Sequence, residues 1–171
     1  MQRGSRSHAG GCQCGAVRFR ADRAPENVYV CHCRMCQKSV GGPFAGYAVV
    51  PAADFAWTRG WLAEWVSSSA GVRQFCGACG TPLGYRYFEG DEARRQFLTT
   101  GSFDQPASQK PAIEVGVESK LDWVDHLSAL PRQDTGQAIG PELLASIVPP
   151  EGREAYRAFL EATQRPQGWA A

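Results

Sequence analysis

The sequence predicts a mainly β domain followed by a helical C-terminal extension. Short apolar or alternating runs recur between residues 16 and 117, and glycine and proline separate them. That pattern is typical of β-rich domains. Apolar residues at helical spacing come late, where Tyr156, Phe159 and Leu160 share one face of a predicted helix. A chain of 171 residues with 43% hydrophobic residues suits one ordinary domain with a short appendage.

Nine short runs are predicted as strands. In the first run, Val17 and Phe19 alternate with arginines, which indicates a half-buried strand. Pro51 separates the third run from the fourth, and residues 59–60, Arg-Gly, separate the fourth from the fifth. The predicted strands are residues 16–20, 28–30, 45–50, 55–58, 62–67, 72–75, 83–88, 97–100 and 113–117.

One helical turn is predicted within the β region, at residues 34–38, with the Gly-Gly-Pro run at 41–43 ending it. The first eleven residues are polar, and no strand is predicted in them.

The domain limits follow from these elements. We expect residues 1–7 to be a flexible N-terminus, residues 8–133 to be the β domain and residues 134–171 to be a linker with a helical tail. The apolar face of the tail would pack on its own β domain or, in a homo-oligomer, on a second subunit.

Charge and hydropathy exclude several classes of protein. The formal charge is +1 and the sequence pI is about 7.6, so the chain offers no electrostatic footprint for nucleic acid or an anionic membrane. No run of eighteen apolar residues is present, so no membrane span is predicted. The N-terminus lacks the apolar stretch of a secretory signal, and we therefore expect a cytoplasmic protein.

All seven cysteines fall in three short clusters. An odd number leaves one thiol over in a disulfide framework, and a Cys-x-Cys pair is too close for an ordinary disulfide. A Cys-x-x-Cys turn, in contrast, places two sulfur atoms on one side of a tight loop, where both reach one Zn²⁺ ion. The clusters are Cys12 with Cys14, then Cys31, Cys33 and Cys36, then Cys76 with Cys79.

The seven cysteines divide naturally into four and three. The central trio alone could hold one zinc with an open position, which is typical of a catalytic site, and the outer pairs would then meet in a closed structural site. Two zinc ions per chain are thus predicted. The alternatives are a single zinc ribbon with three other buried cysteines, disulfides, or iron–sulfur ligation, which would usually require a fourth cysteine at the trio.

The three clusters in this order resemble the glutathione-dependent formaldehyde-activating enzyme family. The runs at residues 11–15, 31–37 and 75–82 carry the resemblance, and residues 101–104 together with Ser119, Lys120 and Trp123 look like the later motifs of the family. The resemblance covers residues 8–132. The chain departs from many relatives by having no histidine at 113–117 and by its tail after Thr135.

The resemblance implies a β-tent fold of small antiparallel sheets. It also implies a carbon–sulfur lyase that reversibly adds a small-molecule thiol such as glutathione to formaldehyde or another carbonyl compound. The ligand sets it implies are Cys12, Cys14, Cys76 and Cys79 for the structural zinc and Cys31, Cys33 and Cys36 for the functional zinc.

Three other side chains are candidates for the reaction. His32 lies between two cysteines of the trio and could act as the catalytic proton donor. Arg34 and Lys38 flank the same turn and could bind a substrate carboxylate, although balancing the thiolate charge at the surface would also explain them. The alternative function is a non-catalytic zinc-binding module for a small molecule or a protein partner.

Overall fold

Ten strands and one α-helix form the regular structure of residues 8–133, which are the residues that the computed structural model describes. The strands are β1 His8–Gly11, β2 Arg18–Ala21, β3 Asn27–Cys31, β4 Ala45–Pro51, β5 Phe55–Arg59, β6 Leu62–Ser68, β7 Gly71–Cys76, β8 Pro82–Tyr87, β9 Arg95–Thr99 and β10 Ile113–Val115. The helix α1 spans Arg34–Val40. Short 3₁₀ turns lie at Ala52–Asp54, Asp91–Arg94, Thr100–Ser102, Pro106–Ser108, Val117–Ser119 and Asp122–Ala129.

The predicted mainly β class is confirmed. Each of the nine predicted strands corresponds to an observed strand whose ends differ by no more than two residues. The predicted helical turn is α1, and it ends where expected because Gly41 takes a left-handed conformation, with φ at +67°.

The prediction of no strand in the first eleven residues is wrong. β1 pairs with β2, with Ala9 opposite Arg20 and Gly10 opposite Phe19. Its sequence, His-Ala-Gly-Gly, carries no strand signal of its own, and tertiary pairing therefore determines its conformation. Gly10 is required by the packing, because a Cβ atom there would overlap the ring of Phe19.

The strands form two sheets. The smaller has the order β1-β2-β5, and the larger has the order β10-β3-β4-β9-β8-β7-β6. All the pairings are antiparallel except that of β10 with β3, which is parallel. The parallel pair of β10 and β3 is the one departure from the antiparallel arrangement that the resemblance implies. A parallel neighbour requires a long connection, and β10 joins β3 only after six intervening strands of the chain.

The two faces of the larger sheet have different surroundings. Ala48, Val50 and Leu98 pack with Phe19 and other residues of the smaller sheet in a buried apolar core. On the alternate positions of the same strands, Tyr47, Val49 and Phe97 pack with the cysteines of the central trio. Because side chains alternate along a strand, one set of strands builds both the core and the surroundings of the trio.

The described chain divides into two compact units, of which the first ends at Leu121 and the second begins at Asp122. Of the second unit, residues 122–133 are described, and they contain the 3₁₀ turn Asp122–Ala129 with Trp123 exposed. The predicted helical tail at 134–171 and the flexible segment 1–7 lie outside the described residues. A search of the described residues finds no helix with the length and apolar character needed to span a bilayer.

Candidate metal centre

The two outer pairs of cysteines meet in one four-sulfur cluster. Cys12 and Cys14 lie in the loop between β1 and β2, Cys76 ends β7, and Cys79 lies three residues further on. All four sulfur atoms lie within 4.8 Å of one another. The Sγ atoms of Cys12 and Cys14 are 3.4 Å apart, and those of Cys14 and Cys76 are 3.9 Å apart. Four Zn–S bonds of about 2.3 Å in a tetrahedron place sulfur atoms about 3.8 Å apart, so the cluster fits a zinc ion.

Hydrogen-bond donors surround these sulfur atoms. The hydrogen bond from the Cys76 thiol, together with the N–H of Val17 at 3.1 Å, lowers the pKa of Cys12 to about 4 against the opposing effect of burial. Burial raises the pKa of Cys79, but the Thr81 hydroxyl, 3.1 Å from its sulfur, and backbone N–H groups lower it overall. These contacts stabilise the thiolates of Cys12 and Cys79, the form in which cysteine binds a metal, whereas the pKa values of Cys14 and Cys76 are raised.

The central trio forms the second cluster, in which the sulfur atoms of Cys31, Cys33 and Cys36 also lie within 4.8 Å of one another. Cys31 ends β3, Cys33 precedes α1 and Cys36 lies in its first turn. Burial raises the pKa of Cys31 to about 12. Burial also opposes ionisation of Cys33, yet the backbone N–H groups of Cys36 and Met35 and the neighbouring thiols lower its pKa. Three thiolates suit a zinc ion that takes its fourth ligand from outside the chain.

The segment that consists of β10 and the turn after it holds the trio in place. The backbone N–H of His32 donates to the carbonyl of Val115 at 2.9 Å. The side-chain amide of Gln37, which is buried in α1, donates to the carbonyls of His32 at 2.5 Å and Ser119 at 2.9 Å. Gly116 has φ at +68°, and a Cβ atom there would lie 2.8 Å from the backbone nitrogen of Cys33. This clamp, residues 113–119, fixes the loop that carries the trio.

A cavity of about 720 Å³ opens beside the trio and not beside the four-cysteine cluster. All three cysteines of the trio line it, together with apolar and aromatic side chains from the alternate positions of β3, β4, β8, β9 and β10. The volume lies within the range of about 300–1,000 Å³ that is usual for small-molecule pockets. The trio is thus the cluster that a small molecule could reach.

Arg73, which is not among the predicted site residues, is a charged residue of the cavity lining that contacts the trio. One guanidinium nitrogen lies 3.5 Å from the Sγ of Cys36, and another donates to the hydroxyl of Tyr47 at 2.5 Å. The guanidinium carbon lies 4.7 Å from the ring centre of Tyr85. Burial opposes the charge, but Tyr47 and Cys36 raise the pKa of Arg73, which remains a fixed cation. Its one sequence signal is a charged residue inside an apolar strand.

The three predicted non-cysteine site residues do not line the cavity. His32 is fully buried, its ring contacts Phe44 edge-on at a centroid distance of 5.7 Å, and its Nε2 lies 3.6 Å from a carboxylate oxygen of Glu114. Arg34 is exposed and hydrogen-bonds the side chain of Gln37, and Lys38 is exposed on the same helix. Alternation of side chains explains why His32 does not line the cavity: its neighbour Cys31 faces the cavity, so His32 points to the other side.

The fold and the two clusters define the class of this protein: a mainly β domain with two cysteine clusters, each of which could hold a metal ion. The family profile described as glutathione-dependent formaldehyde-activating enzyme matches residues 7–119. The chain belongs to that family.

Two relatives and one solved structure are similar to parts of this chain. A Halomonas elongata protein provisionally named as a glutathione-dependent formaldehyde-activating enzyme is 31% identical over 126 residues, which cover 68% of this chain and 78% of the relative. A Schizosaccharomyces pombe protein named as an uncharacterized lyase is 28% identical over 83 residues, covering 48% of this chain and 60% of the relative. A crystal structure of a Rhodobacter sphaeroides protein has 19% identity and a TM-score of 0.49, covering 63% of this chain and 99% of that one.

The two clusters should respond differently to the loss of one sulfur atom. Cys33 and Cys79 are the less buried members of their clusters and form a matched pair. Cys33→Ser should lower the zinc content by about one ion per chain and leave the fold largely intact, because the trio lies within six residues of sequence. Cys79→Ser should impair folding or solubility, because its cluster joins loops 62 residues apart. Zinc content and circular dichroism measure both effects, and similar behaviour of the two variants would contradict this division.

Strain in the clamp should weaken metal binding at the trio. Gly116→Ala places a side chain at φ +68° and forces its Cβ atom against Cys33. Because this displaces a ligand loop, we expect zinc at the trio to bind about tenfold or more weakly in a chelator competition assay. Gly90→Ala is the control, since Gly90 has φ at +78° but no atom within 4 Å of a Cβ. Equal zinc affinities in the two variants would show that the clamp does not hold the trio.

Proposed function

We propose that this chain is a zinc-dependent enzyme of the carbon–sulfur lyase type, which reversibly adds a small thiol to formaldehyde or another small carbonyl compound. The observation that supports this proposal most directly is that the three-cysteine cluster lines a cavity in which a guanidinium nitrogen of Arg73 lies 3.5 Å from the Sγ of Cys36. Family membership and the names of the relatives support the reaction class. All seven cysteines are free thiols, which suits the cytoplasm.

The two clusters would have separate tasks. Cys12, Cys14, Cys76 and Cys79 would hold a structural zinc that fastens the loop of the smaller sheet to the end of β7. The trio would hold the functional zinc. An ion held there would supply Lewis acidity and lower the pKa of a substrate thiol.

The residues of the cavity would serve the carbonyl reactant. When the thiol sulfur attacks the carbonyl carbon, a C–S bond forms and the π electron pair of the carbonyl moves to its oxygen. The proton released from the thiol ends on that oxygen as the hydroxyl of a hemithioacetal. Arg73 would stabilise the developing oxyanion, and the hydroxyl of Tyr47, which already accepts a hydrogen bond from Arg73, would donate to it.

This arrangement gives the cationic role to Arg73 instead of Arg34 or Lys38, which lie outside the cavity and would balance surface charge. His32 would support the loop of the trio through its backbone and would not transfer the proton. The alternative, a binding module without catalysis, is favoured by one observation: no histidine of the described residues lines the cavity.

A rate measurement distinguishes the enzyme from the binding module. Zinc-loaded protein should accelerate the exchange between formaldehyde, a thiol and their hemithioacetal, measured by NMR exchange spectroscopy, and leave the equilibrium position unchanged. The metal-free protein and Cys33→Ser serve as controls and should show only the buffer rate. If the zinc-loaded protein binds thiols but does not change the exchange rate with any thiol–carbonyl pair, the enzymatic proposal is wrong.

Removal of the cation should affect the chemical step more than binding. Arg73→Ala is expected to lower kcat by about 10²–10³-fold with a smaller change in KM, because an oxyanion needs its charged donor mainly in the transition state. Arg73→Lys should recover part of the loss, since it keeps the charge and loses the planar fork. Arg86→Ala, in the neighbouring strand β8 and outside the cavity lining, should keep the parent kcat. An unchanged kcat in Arg73→Ala would refute this role.

A further inference from the structure

The cavity beside the trio collects the tyrosines of the described chain. The sequence has five tyrosines, and all four that fall within residues 8–133 line this one cavity. They are Tyr29, Tyr47, Tyr85 and Tyr87. Phe97 adds a fifth aromatic ring to the lining. None of the tryptophans among the described residues lines the cavity, so this enrichment does not follow from aromatic content alone.

The rings form two continuous groups around the trio. The centroids of Tyr29 and Tyr47 are 5.6 Å apart. On the neighbouring strands, Tyr87 contacts Tyr85 at 4.8 Å and Phe97 at 5.4 Å, both edge to face. Each ring therefore already has an aromatic partner that fixes its position, and the free parts of the rings form a preorganised apolar wall.

The charged groups of the cavity neutralise one another. Arg95 lies 3.5 Å from a carboxylate oxygen of Glu26 and 3.0 Å from one of Glu92, and all three residues line the cavity. Arg73 is engaged by Tyr47, by the Tyr85 ring and by Cys36. No lysine of the described residues is part of the lining.

This charge arrangement disfavours a thiol of the glutathione type. Glutathione carries two carboxylates, whereas of the two guanidinium groups of the lining Arg95 already pairs with Glu26 and Glu92, and Arg73 is reserved for the oxyanion of the proposed reaction. A buried carboxylate without a cationic partner is costly. An uncharged aromatic group, in contrast, would replace water on the ring walls without breaking an ion pair, which is favourable in proportion to the apolar area removed from water.

We infer that the cavity selects a substrate that carries an uncharged aromatic group, with its thiol or carbonyl directed to the trio and its ring among Tyr29, Tyr47, Tyr85, Tyr87 and Phe97. The inference rests on the proposed thiol–carbonyl reaction and names its substrate class. The sulfur cluster and the aromatic wall belong to the same cavity. The substrate is therefore a small molecule that carries both the reacting thiol or carbonyl and the aromatic ring.

Binding to the full-length, zinc-loaded protein tests the inference. Three thiols are compared by isothermal titration calorimetry: phenylmethanethiol, 2-mercaptoethanol and glutathione. We expect phenylmethanethiol to bind at least about tenfold more tightly than either of the others, since burying one ring readily supplies that factor. Benzaldehyde against formaldehyde forms a second arm, which tells whether the aromatic group belongs to the thiol or to the carbonyl reactant.

A variant pair locates the effect. Tyr87→Ala should reduce the preference for phenylmethanethiol over 2-mercaptoethanol several-fold, and Tyr87→Phe should keep that preference. Phe88→Ala is the matched control, because Phe88 is the next residue, is 40% exposed and does not line the cavity. Melting temperatures confirm that each variant is folded. The comparison of ligands on the parent protein stands even if Tyr87→Ala does not fold.

Failure of this inference can be separated from failure of the proposed reaction. Tightest binding by glutathione, or equal affinities of aromatic and small compounds in both arms, overturns the aromatic selection. If the exchange between 2-mercaptoethanol and formaldehyde is nevertheless accelerated, the thiol–carbonyl activity stands without that selection. Tight, Tyr87-dependent binding of phenylmethanethiol without acceleration of any pair would support the aromatic site and refute the enzymatic reaction.

Discussion

The close approach of four sulfur atoms from two distant loops is the constraint on which the rest of the structure depends. The thiol of Cys76 donates to Cys12, and this hydrogen bond raises the pKa of Cys76 while it lowers that of Cys12. Four thiolates at this separation repel one another, so the cluster needs a positive charge for all four to ionise. A divalent cation would supply that charge, and its bonds to the four sulfur atoms would join the smaller sheet to the end of β7.

The trio differs because its position is set by backbone contacts with the clamp. β10 adds to β3 in parallel, which brings Val115 beside Cys31, and the chain then turns at Gly116 against Cys33. The amide of Gln37 ties the helix to the same turn. A cluster held from behind by hydrogen bonds can leave its other side to a cavity. The four-cysteine cluster would stabilise the fold, while the trio is supported by the fold and lines the cavity.

The sequence was sufficient for features with a local signal. Both cysteine groups, the helix that ends at Gly41 and nine strands follow from spacing, turn residues and alternation. β1 has no such signal, because pairing with β2 alone makes it a strand. His32 and Arg73 show the same limit at the site. Strand register and sheet order determine that Cys31 and not His32 faces the cavity, and that Arg73 from a distant strand meets the trio. A single sequence encodes neither fact in a local pattern.

Register also connects the core to the chemistry. β4 and β9 place Ala48, Val50 and Leu98 in the core between the sheets, and Tyr47 and Phe97 on the side of the trio. A shift of one residue in β4 would exchange these two sets of positions, burying the Tyr47 hydroxyl in the core and removing its ring from the cavity. Apolar packing of the core therefore selects the arrangement of the aromatic wall. The wall thereby carries tyrosine hydroxyls and a guanidinium group beside the sulfur atoms of the trio, on strands whose register the core between the sheets determines.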